Sequence, residues 1–119
     1  MTAWRRSTKP AGWYPRRGEV CLMDLDKERP AVILSGDFLN AYSLDVCIVP
    51  VSSVEHRSFS LRPRLRAGEG GLKRDSWAKC DQPTTLEKDY VAYPPLGVLS
   101  RATMARIETA VKKIGRAHV

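Results

Sequence analysis

The sequence predicts a small antiparallel β barrel with a helix at its C-terminal end. Apolar runs of strand length recur between residues 19 and 99, and the links joining them are too short for crossover helices. A single helical apolar stripe follows them. At 119 residues the chain is one domain, long enough to bury its own core. Five or six short strands joined by turns make a strongly curled sheet, for which a small barrel is the natural closure.

Residues 1–16 are expected to form a basic arm, and its end, Gly12-Trp13-Tyr14-Pro15, has the turn chemistry of irregular chain. The barrel domain with its helix is expected over residues 17–119. Glu19 to Leu25 is a first strand with few polar interruptions. Asp26-Lys27-Glu28 is a short polar link, so the next strand, from Arg29 or Ala31 to Ser35, pairs back antiparallel. Gly36 to Asn40 reads as a turn or one helical turn, and Asp45 to Val51 as a third strand. Pro50 lies near its end, where a missing backbone donor is tolerated.

Phe59, Leu61, Pro63 and Leu65 alternate with Ser60, Arg62, Arg64 and Arg66, the period of a half-buried strand with arginines on its solvent face. Ala67 to Leu72 is a loop and Asp75 to Cys80 a fifth strand. Tyr90 to Leu99, with Pro94, Pro95 and Gly97, is an irregular extended segment that can supply a last strand. Ser100 caps a helix from Arg101 to Ile114, and Gly115 is its expected stop. Met104, Ile107, Val111 and Ile114 make the apolar stripe, which docks this helix on the core.

Hydrophobic residues at 43% and charged residues at 28% exclude a disordered chain. The net charge of +7 is concentrated, because Arg5, Arg6, Lys9, Arg16 and Arg17 lie in the first eighteen residues with no acid among them. Such an arm suits phosphates, an anionic surface or an acidic partner. Its Trp4, Trp13 and Tyr14 can stack on bases or pack back on the domain. Cys21, Cys47 and Cys80 are odd in number and lack paired metal-ligand spacing, so they read as buried, reduced thiols. No stretch approaches the ~20 apolar residues of a spanning helix, and the N-terminus lacks a continuous apolar segment of signal-peptide length. A cytoplasmic protein with no membrane contact is expected.

The site-like stretch is Glu28-Arg29-Pro30-Ala31-Val32-Ile33-Leu34-Ser35. Pro30 disfavours the helical conformation at Arg29, so this residue is extended at the mouth of a strand whose apolar run suits burial on both faces. There its charge can face a pocket without being buried in the core.

The order of pieces resembles the MazF/PemK family of toxin endoribonucleases over residues 17–115. The resemblance rests on Arg17-Gly18-Glu19-Val20, Asp24-Leu25-Asp26 and Arg29-Pro30-Ala31-Val32-Ile33-Leu34-Ser35. It continues through Val49-Pro50-Val51-Ser52-Ser53, the run from Gly71 to Gln82, and Leu99-Ser100 before the helix. It implies an SH3-like barrel of five to seven mostly antiparallel strands, acting as a homodimer. The implied function is the toxin of a type II toxin–antitoxin system, cutting single-stranded RNA without a metal or other cofactor. A cognate antitoxin with an acidic segment would silence it. The family's catalytic arginine falls on Arg29, its catalytic threonine on Ser52, and the acidic-Gln pair of its RNA groove on Asp81 and Gln82. Further RNA-contacting candidates are Lys27, Glu28, Ser53, His56 and Arg57, and Arg62, Arg64, Arg66, Lys73 and Arg74 can hold phosphates without reading sequence.

The residue types suit the chemistry. RNA can be cut by attack of its own 2′-hydroxyl on the adjacent phosphorus, so the protein must orient the backbone and stabilise developing charge. A guanidinium offers two parallel donors to phosphate oxygens and keeps its charge. Serine shares threonine's hydroxyl donor but lacks the β-methyl that restrains its rotamer. His56, Glu28 or, more remotely, His118 could exchange the proton. The family usually carries a longer loop where this chain has Asp26-Lys27-Glu28. Two alternatives use a similar barrel: a CcdB-like toxin that binds a protein target such as DNA gyrase, and a barrel that binds RNA or antitoxin without cutting.

Overall fold

The structure, a computed structural model, describes residues 9–54 and 61–117. Its strands are β1 (Glu19–Asp24), β2 (Glu28–Ile33), β3 (Asp45–Ser52), β4 (Arg64–Leu65), β5 (Ser76–Ala78), β6 (Thr84–Glu87) and β7 (Gly97–Val98). Helix α1 spans Asp37–Tyr42 and α2 spans Arg101–Ala117, with 3-10 turns at Glu69–Gly71 and Lys88–Tyr90. All strand pairs are antiparallel, and the seven strands form one curled sheet in the order β4-β5-β3-β2-β1-β7, with β6 also on β3. This is the predicted mainly β class with one C-terminal helix.

Alternation explains why the first three strands are almost continuously apolar. Val20, Val32, Val49 and Val51 face one way and pack with Leu65, Leu72, Leu99 and the α2 residues Met104, Ile107 and Ala110. Cys21, Met23, Ala31, Ile33, Val46 and Ile48 face the other way, around Val91 with Trp13 and Leu86 against them. A sheet covered on both faces needs apolar side chains at odd and even positions alike. The curl comes from β3, whose first half pairs with β6 (Asp45↔Glu87) and whose last two residues pair with β5 (Val51↔Ala78) along the same edge.

Several elements differ from expectation. Within the described residues, the fourth strand is reduced to Arg64–Leu65. Pro63 has no N–H to extend it, although the Pro63 carbonyl still accepts from Ala78 N at 3.0 Å and the Leu61 carbonyl from Cys80 N at 3.2 Å. Nor are the arginines a free solvent face: Arg62 is ion-paired with Asp81, and Arg64 with Asp75. Strand β6 was not anticipated, because Thr84-Thr85-Leu86-Glu87 is short and mostly exposed. Helix α2 runs through Gly115 to Ala117, so Gly115 lies within the helix and does not stop it. Its start is as expected, with Ser100 Oγ accepting from Thr103 N at 3.2 Å.

Near the arm, Trp13 sits edge-on to Tyr93 with ring centroids 5.2 Å apart, and Pro15 is fully buried. Pro15 is fixed through Asn40, itself 0% exposed, whose Nδ2 donates to the Pro15 and Ser35 carbonyls, each at 3.0 Å. Ser35 Oγ donates to Asn40 Oδ1 at 2.5 Å and accepts from Cys47 N at 3.0 Å. Every polar atom in this knot is paired, so Asn40→Ala leaves two buried carbonyls and a hydroxyl short of partners. Urea denaturation should show it destabilised by roughly 3 kcal/mol.

All three cysteines are free thiols. Burial, with Glu19 adding to it, pushes Cys21 up to about 12, and burial with Asp81 does the same for Cys80. Both are therefore protonated, inert packing groups at neutral pH.

Candidate active site

The β1–β2 hairpin turns through Leu25, Asp26 and Lys27, and its register places Met23 opposite Arg29 and Leu22 opposite Pro30. Arg29 is thereby fixed near the tip of a buried strand, with its side chain exposed. Among the described residues it makes no hydrogen bond or ion pair, so its donors are available to a ligand.

Two open grooves meet at this point. The first, of about 800 Å³, has Glu28, Arg29 and Pro30 at one side, with Leu22, Val51 and Leu72 among its apolar lining. Ser52, Ser53 and Val54 line it from the end of β3, Lys73 and Arg74 from the segment before β5, and Pro94, Pro95 and Leu96 from the chain leading to β7. The second, of about 850 Å³, is lined by Asp24, Leu25, Asp26, Lys27, Arg29 and Tyr90. Lys27 and Arg29 belong to both.

Ser52 closes β3 opposite Trp77, which fixes its backbone. Its Oγ accepts the Val54 N–H at 3.1 Å. A hydroxyl has one donor and two acceptor positions, so this turn restrains the oxygen and leaves its own proton free to donate. The restraint stands in for the rotamer preference that a threonine's methyl supplies.

Of the residues singled out from sequence, the structure brings Arg29, Ser52, Lys27, Glu28, Ser53, Lys73 and Arg74 to one groove. Asp81 and Gln82 line neither groove. Asp81 is instead the bidentate partner of Arg62, accepting from Nε at 2.9 Å and Nη2 at 2.8 Å. His56 and Arg57 lie outside the described residues. The grooves also contain Leu22, Tyr90 and the Pro94–Leu96 wall, none of which sequence reasoning picked as site residues. The Pro-Pro pair was the available signal, since it stiffens a segment without belonging to a regular strand.

Three carboxylates near these elements are held below their usual range. Asp81 is lowered by its bond from Arg62, Asp75 by bonds from Arg64 and the Ala67 N–H, and Glu69 by the Arg66 N–H and the Thr103 hydroxyl. A depressed folded-state value contributes stability above the unfolded value of about 4, lost as pH falls through the folded value. Arg62→Ala should therefore be less stable than wild type at pH 7. The gap should shrink below about pH 4 as Asp81 protonates, which denaturation curves at several pH values will show.

The family model described as PemK-like, MazF-like toxin of type II toxin–antitoxin systems matches residues 16–115. The chain belongs to this MazF/PemK family. A comparison with curated proteins gave no match. Among solved structures, a mycobacterial endoribonuclease in complex with its cognate antitoxin is 27% identical, with a TM-score of 0.75, 86% of this chain and 95% of that one covered. A second mycobacterial endoribonuclease is 26% identical, with a TM-score of 0.76 and coverage of 90% and 96%. MazF in a MazE–MazF crystal from Deinococcus radiodurans shares the fold at 18% identity and a TM-score of 0.74, covering 86% and 95%. The MazF/PemK toxins are thus the group whose barrel this chain shares. Among the described residues, no helix is long and apolar enough to cross a membrane.

Proposed function

We propose that this MazF/PemK toxin is an endoribonuclease that cuts single-stranded RNA by attack of the substrate's 2′-hydroxyl, with Arg29 as the main catalytic group. The observation that carries the reading is a guanidinium, unpaired among the described residues, at the junction of two grooves and in the same groove as the Ser52 hydroxyl and the Lys73 and Arg74 cations. Two relatives above 25% identity that bear the name endoribonuclease support it.

In this reading Lys73 and Arg74 attract the backbone, and Arg29 and Ser52 Oγ donate to the scissile phosphate. The 2′-oxygen bonds to phosphorus and the P–O5′ bond breaks, leaving a 2′,3′-cyclic phosphate and a 5′-hydroxyl. The 2′-hydroxyl gives up its proton and the leaving oxygen gains one. Glu28, next to Arg29 in the groove, is a carboxylate able to take the first proton. No step requires a metal. The same cationic groove is proposed to receive an acidic segment of a cognate antitoxin, and the toxin to act as a homodimer; a relative's complex with its antitoxin supports the first of these.

The test is incubation of the pure protein with a long single-stranded RNA in EDTA. Cleavage with cyclic phosphate ends is expected. Intact RNA over a wide protein concentration range would overturn the nuclease reading, and 3′-hydroxyl ends would overturn 2′-hydroxyl attack.

A further inference from the structure

The cleavage chemistry leaves the second groove unused, although it shares Lys27 and Arg29 with the first. Its walls differ in kind. Tyr90 is 41% exposed and Leu25 44% exposed, so an aromatic ring and an apolar side chain face solvent beside the arginine. Neither is loosely held. Tyr90 ends the turn Lys88–Tyr90, and the next residue, Val91, is fully buried and bridged to Met23 of β1. Ala92 N then donates to the Leu22 carbonyl at 2.9 Å, and Leu25 N to the Met23 carbonyl at 3.0 Å. Tyr90 and Leu25 are thus both anchored to β1, and Met23 is the residue opposite Arg29.

The charges divide the same way. The cations Lys27 and Arg29 stand where the grooves join, whereas Asp24 and Asp26 line the second groove alone. A phosphate is drawn to the junction and repelled from the carboxylates. A nucleotide has the matching layout, with an anionic phosphate and, one sugar away, a neutral flat base.

We propose that the second groove is a nucleobase subsite, in which Tyr90 and Leu25 stack the base next to the phosphate held at Arg29 and Asp26 reads that base's edge. The inference rests on the single-stranded RNA reading above. Stacking accepts any base, but a carboxylate can only accept hydrogens. Guanine presents adjacent N–H donors, and cytosine and adenine each present an exocyclic amino group. Uracil sets one N–H between two carbonyl oxygens, which meet a carboxylate unfavourably. The subsite should therefore favour guanine, accept cytosine or adenine, and disfavour uracil.

The experiment pairs two readouts on the full chain. Binding is measured with fluorescein-labelled, random-sequence single-stranded RNA carrying 2′-O-methyl groups, which has no attacking hydroxyl, and base preference by sequencing the ends cut from a long RNA. Tyr90→Leu, which keeps an apolar side chain and loses the ring, should weaken binding roughly 5- to 100-fold, while Tyr90→Phe stays near wild type. Asp26→Asn, in the exposed hairpin turn, supplies a donor as well as an acceptor and should admit uracil at the subsite. If wild type neither binds the probe nor cuts RNA, the RNA reading itself falls. If wild type binds and cuts, and Tyr90→Leu matches it in affinity and base preference, the subsite is rejected and the nuclease reading stands. Should Tyr90→Leu fail to fold, unchanged base preference in Asp26→Asn rejects the assigned edge contact on its own.

Discussion

Arg29→Ala should lower the rate of RNA cleavage by roughly 10²- to 10³-fold, the cost of removing one well-placed donor to a developing oxyanion. The loss should fall mainly on kcat. Lys73, Arg74 and Lys27 remain to bind the backbone, whereas the planar pair of donors at the phosphate is gone. Arg29→Lys restores charge without the fork and should recover only part of the rate. Stability is the control. Arg29 is exposed and, among the described residues, makes no side-chain hydrogen bond or ion pair, so its removal breaks none and thermal melts should stay close to wild type. Cleavage by Arg29→Ala at the wild-type rate would remove this residue from the mechanism.

The exposed position of Arg29 at the end of a core strand was legible in the sequence because two local rules agreed there, whereas its assignment to catalysis came from the family resemblance. Pro30 forces an extended residue before it, and the apolar run behind it must be buried on both faces, so a charge at that point sits at the mouth of a core strand. The strands β1 to β3 and the stripe of α2 were legible for the same reason: their side-chain periods report burial directly. What could not be read were elements stabilised by distant partners. Strand β6 exists because β3 offers an edge at Asp45–Ile48, a fact absent from Thr84-Thr85-Leu86-Glu87 itself. The arginines at 62 and 64 looked like a solvent stripe because an alternating pattern cannot show that Asp81 and Asp75 are opposite them. Tyr90 went unnoticed because its neighbours signal irregular chain, and only the bridge from Val91 to Met23 brings it beside Arg29.

The second large effect is expected at a glycine. Gly71 has φ +78°, and a Cβ built there would lie 2.0 Å from the Leu96 carbonyl oxygen and 2.5 Å from its carbon. The approach is mutual, because a Cβ on Gly97 would lie 2.6 Å from the Gly70 carbonyl carbon. Backbone meets backbone there, so no side-chain rotation can relieve an added methyl. Gly71→Ala must push β7 away from the 69–71 turn, straining the pairing of Val20 with Gly97 and the bond from Leu96 N to the Val20 carbonyl, 2.7 Å long. A loss of about 4 kcal/mol or more is expected, combining left-handed strain with displaced core backbone. Gly68→Ala separates the two contributions. Its φ is +98°, yet nothing lies within 4 Å of its Cβ position, so it should cost the strain alone, about 1–2 kcal/mol. Equal losses for the two variants in denaturant titrations would show that the backbone contact is unimportant. The contact also ties fold to site. Gly71 and Leu96 meet in the lining of the first groove, and Leu72, Lys73 and Arg74 follow Gly71 directly, so whatever fraction of Gly71→Ala folds should cut RNA more slowly, its phosphate-holding cations displaced from Arg29.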